Sequence, residues 1–166
     1  MKPKGPKMNN KIIKILEKRN ESLFVVESCT GGLISHSFSK IPNASRVFHG
    51  GIVSYSLESK NKILNIPLHL LNKFSPYSFE ILHLMLKGGL NISNASNVIA
   101  LSGVAGPKDF ENAKKGTIFI GFKNLKAPPK LHKIYLSGSR ISIQKNALKS
   151  ALNLFLEYLL DIDKNT

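Results

Sequence analysis

Residues 22–27, SLFVVE, form an apolar run of strand length that stops at Ser28-Cys29-Thr30-Gly31-Gly32, and Leu33 to Lys40 continue in a helical pattern. A strand, a glycine turn and a helix in immediate succession constrain this chain more than any bulk property. So apolar a run needs cover on both faces, and the helix that follows supplies one cover. Four more strand-length runs lie at 48–55, 97–102, 117–122 and 131–136. Helical patterns surround them at 9–19, with Ile12, Ile13, Ile15 and Leu16 among lysines, at Leu57 to Leu64, at Ser78 to about Leu90, and at Ile141 to about Leu160. Pro42-Asn43 breaks the second helix, Gly106 to Lys115 reads as a polar loop, and Pro128-Pro129 reads as a turn. The expected fold is α/β, a single-domain three-layer α/β/α sandwich with a mixed central sheet over residues 9–163. A flexible basic lead-in is expected over residues 1–8.

At 166 residues and 42% apolar content the chain can bury a core without staples. Its single cysteine, Cys29, excludes an internal disulfide and a multi-cysteine metal site. His36, His49, His69, His83 and His132 show no metal-ligand spacing, so no metal is expected. No apolar run reaches the roughly 18 residues of a membrane span, and the segment after Met8 is too polar for a signal-peptide core. A cytoplasmic location without a membrane partner is expected. The net charge of +14 suits a polyanion held by counterion release. Yet the lysines are dispersed, and only Arg19, Arg46 and Arg140 offer bidentate contacts. A nucleic-acid partner therefore stays open with no motif behind it.

Chemistry concentrates at the strand ends, where open α/β sheets form their ligand crevice. The turn from Ser28 to Gly32 aims backbone N–H groups and a helix start at one point. The Ser28 and Thr30 hydroxyls add donors there, and Gly31 and Gly32 let an anion approach. A plain N-cap with a tight turn explains the same residues. Three further pieces are Tyr55 with Lys60 five residues on, Ser102-Gly103 before a glycine-rich turn, and Gly138-Ser139-Arg140 before the last helix. Singly, Lys60 is a solvated lysine and Arg140 a surface cation; together they suggest one site. Cys29, at a helix start that favours thiolate, is an alternative nucleophile.

The blocks ESCTGG at 27–32, GGIVSYSLESK at 50–60, SGVAGP at 102–107 and GSR at 138–140 resemble, in order and spacing, those of the CinA C-terminal domain family. This family is also known as PncC, the nicotinamide-nucleotide amidohydrolases. The resemblance runs from about residue 10 to 160 and is to the stand-alone form. It implies an α/β/α domain, without metal or cofactor, that hydrolyses the amide of a small nucleotide, nicotinamide mononucleotide, to nicotinate mononucleotide and ammonia. A homo-oligomer is implied as well. Carried across residue by residue, the family's serines fall on Ser28 and, seventeen positions on, Ser45; its tyrosine and lysine fall on Tyr55 and Lys60. Ser102 opens the third block, and Arg140 is the arginine of the fourth.

Lys60 with Tyr55 would then form the base, with Ser45 or Ser28 as the activated hydroxyl. Thr30, Gly31, Gly32, Ser102, Gly103 and Arg140 would bind substrate. The chain departs from the family pattern on the ligand side. Lys108-Asp109-Phe110-Glu111 stands where glycines are usual, Gln144 replaces a second arginine, and Tyr77-Ser78-Phe79 replaces Val-Ser-Glu. Two rival readings follow: a nucleotide-binding relative without turnover, and a basic interaction protein linked to competence or DNA handling.

Overall fold

The computed structural model describes residues 8–110 and 113–164; of the lead-in expected over 1–8, residues 1–7 lie outside them, as does Glu111 of the departing loop, while Met8 opens the first helix. The chain runs α1 (Met8–Arg19), β1 (Leu23–Glu27), α2 (Leu33–Ser39), a 3-10 turn (Ala44–Arg46), β2 (Phe48–Val53), α3 (Leu57–Leu64), α4 (Leu68–Lys73) and α5 (Phe79–Ser93). It continues through β3 (Asn97–Gly103), β4 (Thr117–Asn124), β5 (Ala127–Tyr135) and α6 (Arg140–Lys164). The sheet order is β2-β1-β3-β4-β5. Strand β1 pairs parallel with β2 and β3, whereas β3–β4 and β4–β5 are antiparallel. The mixed sheet expected from the sequence is the one observed.

Its layers follow from where the apolar side chains point. Ile12 and Leu16 of α1, Ile34 and Phe38 of α2, and Ile143 and Phe155 of α6 pack with Val25, Ile99, Leu101 and Ile120 on one face. On the other face, Leu64 of α3, Leu71 of α4 and Ile81, Leu82 and Met85 of α5 pack with Val26, Val98 and Ala100. Each such burial contributes roughly 1.5–3 kcal/mol before entropy is counted. Covered twice, β1 and β3 are buried along their whole length, whereas the edge strand β2 alternates between half-buried and exposed. Helix α5 can lie close because Gly89 has no side chain: a Cβ there would sit 2.7 Å from Val26 and 2.9 Å from Val98.

One expectation is overturned, and one element has no counterpart in the sequence reading. Pro128 and Pro129 lie inside β5 instead of forming a turn, in the stretch where its register with β4 shifts. An edge strand with a bulge tolerates residues that cannot donate to the ladder. Helix α4, between Pro67 and Phe74, also went unforeseen, because six residues are too few to carry a periodic signal.

The parallel strands β1, β2 and β3 finish at one end of the sheet. Their continuations meet there, as the hydrogen bond from the Ser54 N–H to the Glu27 carbonyl shows (2.8 Å). Strand β5, two reversals from β3, delivers the start of α6 to the same end.

Candidate active site

Glu27 ends β1 fully buried, and its carboxylate organises the turn that follows. One oxygen accepts from the Thr30 hydroxyl (2.7 Å) and from the N–H groups of Gly32 and Ile34 (both 3.1 Å). The other accepts from the Ser35 N–H (2.8 Å) and hydroxyl (2.7 Å). Gly31 and Gly32 take left-handed φ values of +61° and +100°, which lets the chain wrap around that carboxylate. The N–H of Gly31 donates back to the Ser28 carbonyl (3.0 Å). The start of α2 therefore already holds an anion of the protein's own. Thr30 and Gly32, expected to bind substrate, give these donors to Glu27, and neither they nor Gly31 line the cleft described below.

The same turn presents Ser28 to Lys60. Ser54 and Tyr55 lead from β2 into α3, whose start is fixed by reciprocal hydrogen bonds between Ser56 and Ser59 (both 3.0 Å). Lys60 follows on the inward side of the first turn and is only 2% exposed. Its amine donates to the Ser54 carbonyl at 2.7 Å and lies 3.4 Å from the Ser28 hydroxyl oxygen. No carboxylate pairs with it among the described residues. Burial holds the amine down to about 8, with Cys29 pulling weakly the other way. On the order of a tenth of such an amine is free base at pH 7. In that form it donates to Ser54 and offers its lone pair to the Ser28 hydroxyl, the geometry of a general base beside a nucleophile.

Cys29 is a poor alternative. Burial pushes its thiol up to about 12, a rise that its backbone hydrogen bond and the Arg140 charge only partly offset.

Arg140, the first residue of α6, ties the far wall together. Its guanidinium donates to the Tyr55 hydroxyl (2.6 Å) and to the Gly106 carbonyl. The phenol's partner is thus Arg140, whereas Lys60 spends its hydrogen bonds on Ser54 and Ser28. Ser102 is buried and donates to the Pro76 carbonyl (3.2 Å), so it anchors the segment above the cleft, while Gly103 lines the cleft itself. Ser45 is elsewhere. It lies exposed in the 3-10 turn before β2, where the Val47 carbonyl meets the Leu23 N–H at the start of β1. That is the opposite end of the sheet from Lys60.

Two contiguous cavities open on either side of Ser28. One of about 310 Å³ carries Arg140, Gly103 to Phe110 and Cys29; the other, of about 640 Å³, carries Lys60, Leu57 and the segment from Leu71 to Tyr77. Ser28, Tyr55, Tyr77 and Phe110 border both. Gln144, a departure from the family pattern, donates to the Cys29 carbonyl (2.7 Å) and so supports the Ser28–Gly32 turn from α6.

Sequence reasoning missed Glu27 as the organiser of the turn. The available signal was an acid placed at the end of an apolar strand, one turn before a helix start. Among the described residues no group of three or more His, Cys, Asp or Glu could hold a metal ion, and no helix is long and apolar enough to cross a membrane.

Comparison with known proteins agrees with this architecture. The pattern of the CinA C-terminal domain matches residues 6–159. A "CinA-like protein" of Prochlorococcus marinus (strain MED4) is 38% identical over 164 residues, covering 95% of this chain but 37% of that protein. The chain thus spans little more than a third of the length of this curated relative. Among solved structures, the competence damage-inducible protein A from Klebsiella pneumoniae superposes with a TM-score of 0.89 at 24% identity, covering 93% of this chain and 96% of that one. A competence-damaged protein (CinA) superfamily protein from Enterobacter cloacae gives 0.88 at 25% identity, covering 92% and 90%.

Proposed function

The chain belongs to the CinA C-terminal domain family, and from that premise we propose that its cleft hydrolyses the amide of nicotinamide mononucleotide to nicotinate mononucleotide and ammonia. One observation carries the proposal: a buried lysine with its amine held near 8 stands 3.4 Å from a serine hydroxyl at the mouth of a cleft. Neutral Lys60 takes the Ser28 proton as Oγ attacks the carboxamide carbon. The resulting ammonium sits beside the oxyanion and favours it in a setting poor in water. Lys60 then returns the proton to the departing nitrogen, the C–N bond breaks, and ammonia leaves an ester on Ser28. Water adds to that ester with Lys60 again as base, releasing nicotinate mononucleotide and restoring Ser28. Arg140, held by Tyr55 and Gly106, supplies the fixed cation for the 5′-phosphate.

The test is ammonia release from nicotinamide mononucleotide by purified protein, with Lys60→Ala as control. A general base contributes about 10²–10⁴-fold, so the variant is expected to lose turnover on that scale. Turnover within about threefold of the parent removes the lysine from the mechanism. Nucleotide binding without ammonia release from the parent chain transfers the conclusion to a non-hydrolysing relative.

A further inference from the structure

Tyr77 and Phe110 occupy two of the segments in which this chain departs from its family's pattern, and the fold brings them together. Their rings meet edge to face, with centroids 5.3 Å apart and planes at 86°. Both border the cavities on either side of Ser28, so a planar acyl group lodged in either cavity shares its wall with them. Phe110 is held in place. Its N–H and carbonyl exchange hydrogen bonds with Ala113 (2.9 and 2.8 Å), and the Asp109 carboxylate next to it accepts from the Lys115 N–H (2.8 Å).

The charges around the cleft give this wall a purpose. Arg140 and Lys108 border one cavity, and Lys60 and Lys73 the other. Asp109 is the one carboxylate among the described lining residues, and Lys73 lies over the ring of Phe74 (5.3 Å to the centroid). Such a lining suits a phosphate and repels a cation. Nicotinamide mononucleotide carries both: an anionic 5′-phosphate and a positively charged pyridinium ring bonded directly to the reacting carboxamide. Aromatic faces attract a cation through their quadrupole and need no carboxylate that would repel the phosphate.

We propose that the Tyr77–Phe110 pair receives the cationic pyridinium ring of the substrate and sets the preference for it over a neutral ring. This rests on reading the cleft as a nicotinamide-nucleotide amidase, but its binding test does not need turnover. Calorimetric titration compares 1-methylnicotinamide, a cationic ring, with nicotinamide, its neutral counterpart, on the parent chain, Phe110→Leu and Phe110→Tyr. Phe110 is exposed, so these substitutions leave the core intact. Phe110→Leu is expected to weaken the cation by about tenfold and nicotinamide by less than twofold, and Phe110→Tyr to restore the cation. For nicotinamide mononucleotide, KM is expected to rise by a similar factor in Phe110→Leu while kcat stays within about threefold. Equal loss for both rings, an unchanged cation affinity, or no preference for the cation in the parent chain overturns the proposal. Ammonia release with no cation preference refutes this inference alone; cation preference without ammonia release refutes the amidase alone.

Discussion

The two ends of the sheet each bury a polar cluster, and the clusters have opposite character. At the end where β1 and β3 begin, one Glu21 carboxylate oxygen accepts from the side-chain amides of Asn97 (3.0 Å) and Asn124 (3.1 Å). Asn124 also donates to the Asn97 oxygen (2.8 Å), and its backbone N–H reaches the Tyr158 hydroxyl (3.0 Å). Each partner there is short, and the cluster joins the entry to β1 with β3, β4 and α6. At the other end, Glu27 is equally well satisfied, but Lys60, across the sheet from it, is not. It has one short bond, one long one, and no counter-charge among the described residues. A buried polar group with complete partners specifies a fold, whereas one left short of them stores reactivity. On the proposed reading, the contrast puts chemistry at one end and cohesion at the other.

Replacing Ser28 by Ala tests the reactive end most severely, with an expected loss on the order of 10³-fold in ammonia release. Ser45→Ala, at the cohesive end, should stay within about threefold in the same assay. Equal losses from the two would erase the division between the ends.

Lys60→Met sharpens the contrast through its opposite effects on rate and stability. Turnover should fall about 10²–10⁴-fold, and the parent's rate limb with a midpoint near 8 should vanish from the pH profile. Stability should rise. The amine titrates near 8 when folded, against an ordinary 10.5, so the unfolded chain binds the extra proton between those values. The cost of burying the charge is present in full below about pH 8 and is relieved as pH rises towards 10.5. Urea unfolding at pH 7 should therefore favour the methionine variant by on the order of 2–3 kcal/mol, with a gap that closes at higher pH.

Asn124→Ala probes the cohesive end through stability, with little effect on turnover. It strips partners from Glu21 and Asn97 and should cost about 1–3 kcal/mol in urea unfolding. Turnover per folded molecule should remain within about twofold.

Much of this was legible in the residues. Strands β1, β3 and β4 are close to fully buried, so each reads as an unbroken apolar run, and the three-layer arrangement follows from them. The edges were harder. β5 carries Pro128 and Pro129 at a register shift, where local chemistry spells a turn and the sheet spells a strand. Within the site, Lys60 and Ser28 could be named because each closes a strand-to-helix connection. Ser45 could not be separated from Ser28 by spacing alone. A parallel crossover from β1 through α2 returns the chain to the far edge before β2 begins, so seventeen residues of sequence become the length of the sheet. The Tyr77–Phe110 contact joins loops more than thirty residues apart, and no local pattern announces it.

By seating Glu27 at the start of α2, the chain supplies an internal counter-ion where soluble anions would otherwise collect. Sulfate or inorganic phosphate finds that position filled, so salts in the medium meet the Arg140 guanidinium and leave the Ser28 turn undisturbed. On the proposed reading, the attacking serine is thereby insulated from the ionic composition of its surroundings, while recognition of the nucleotide's tail stays exposed to it.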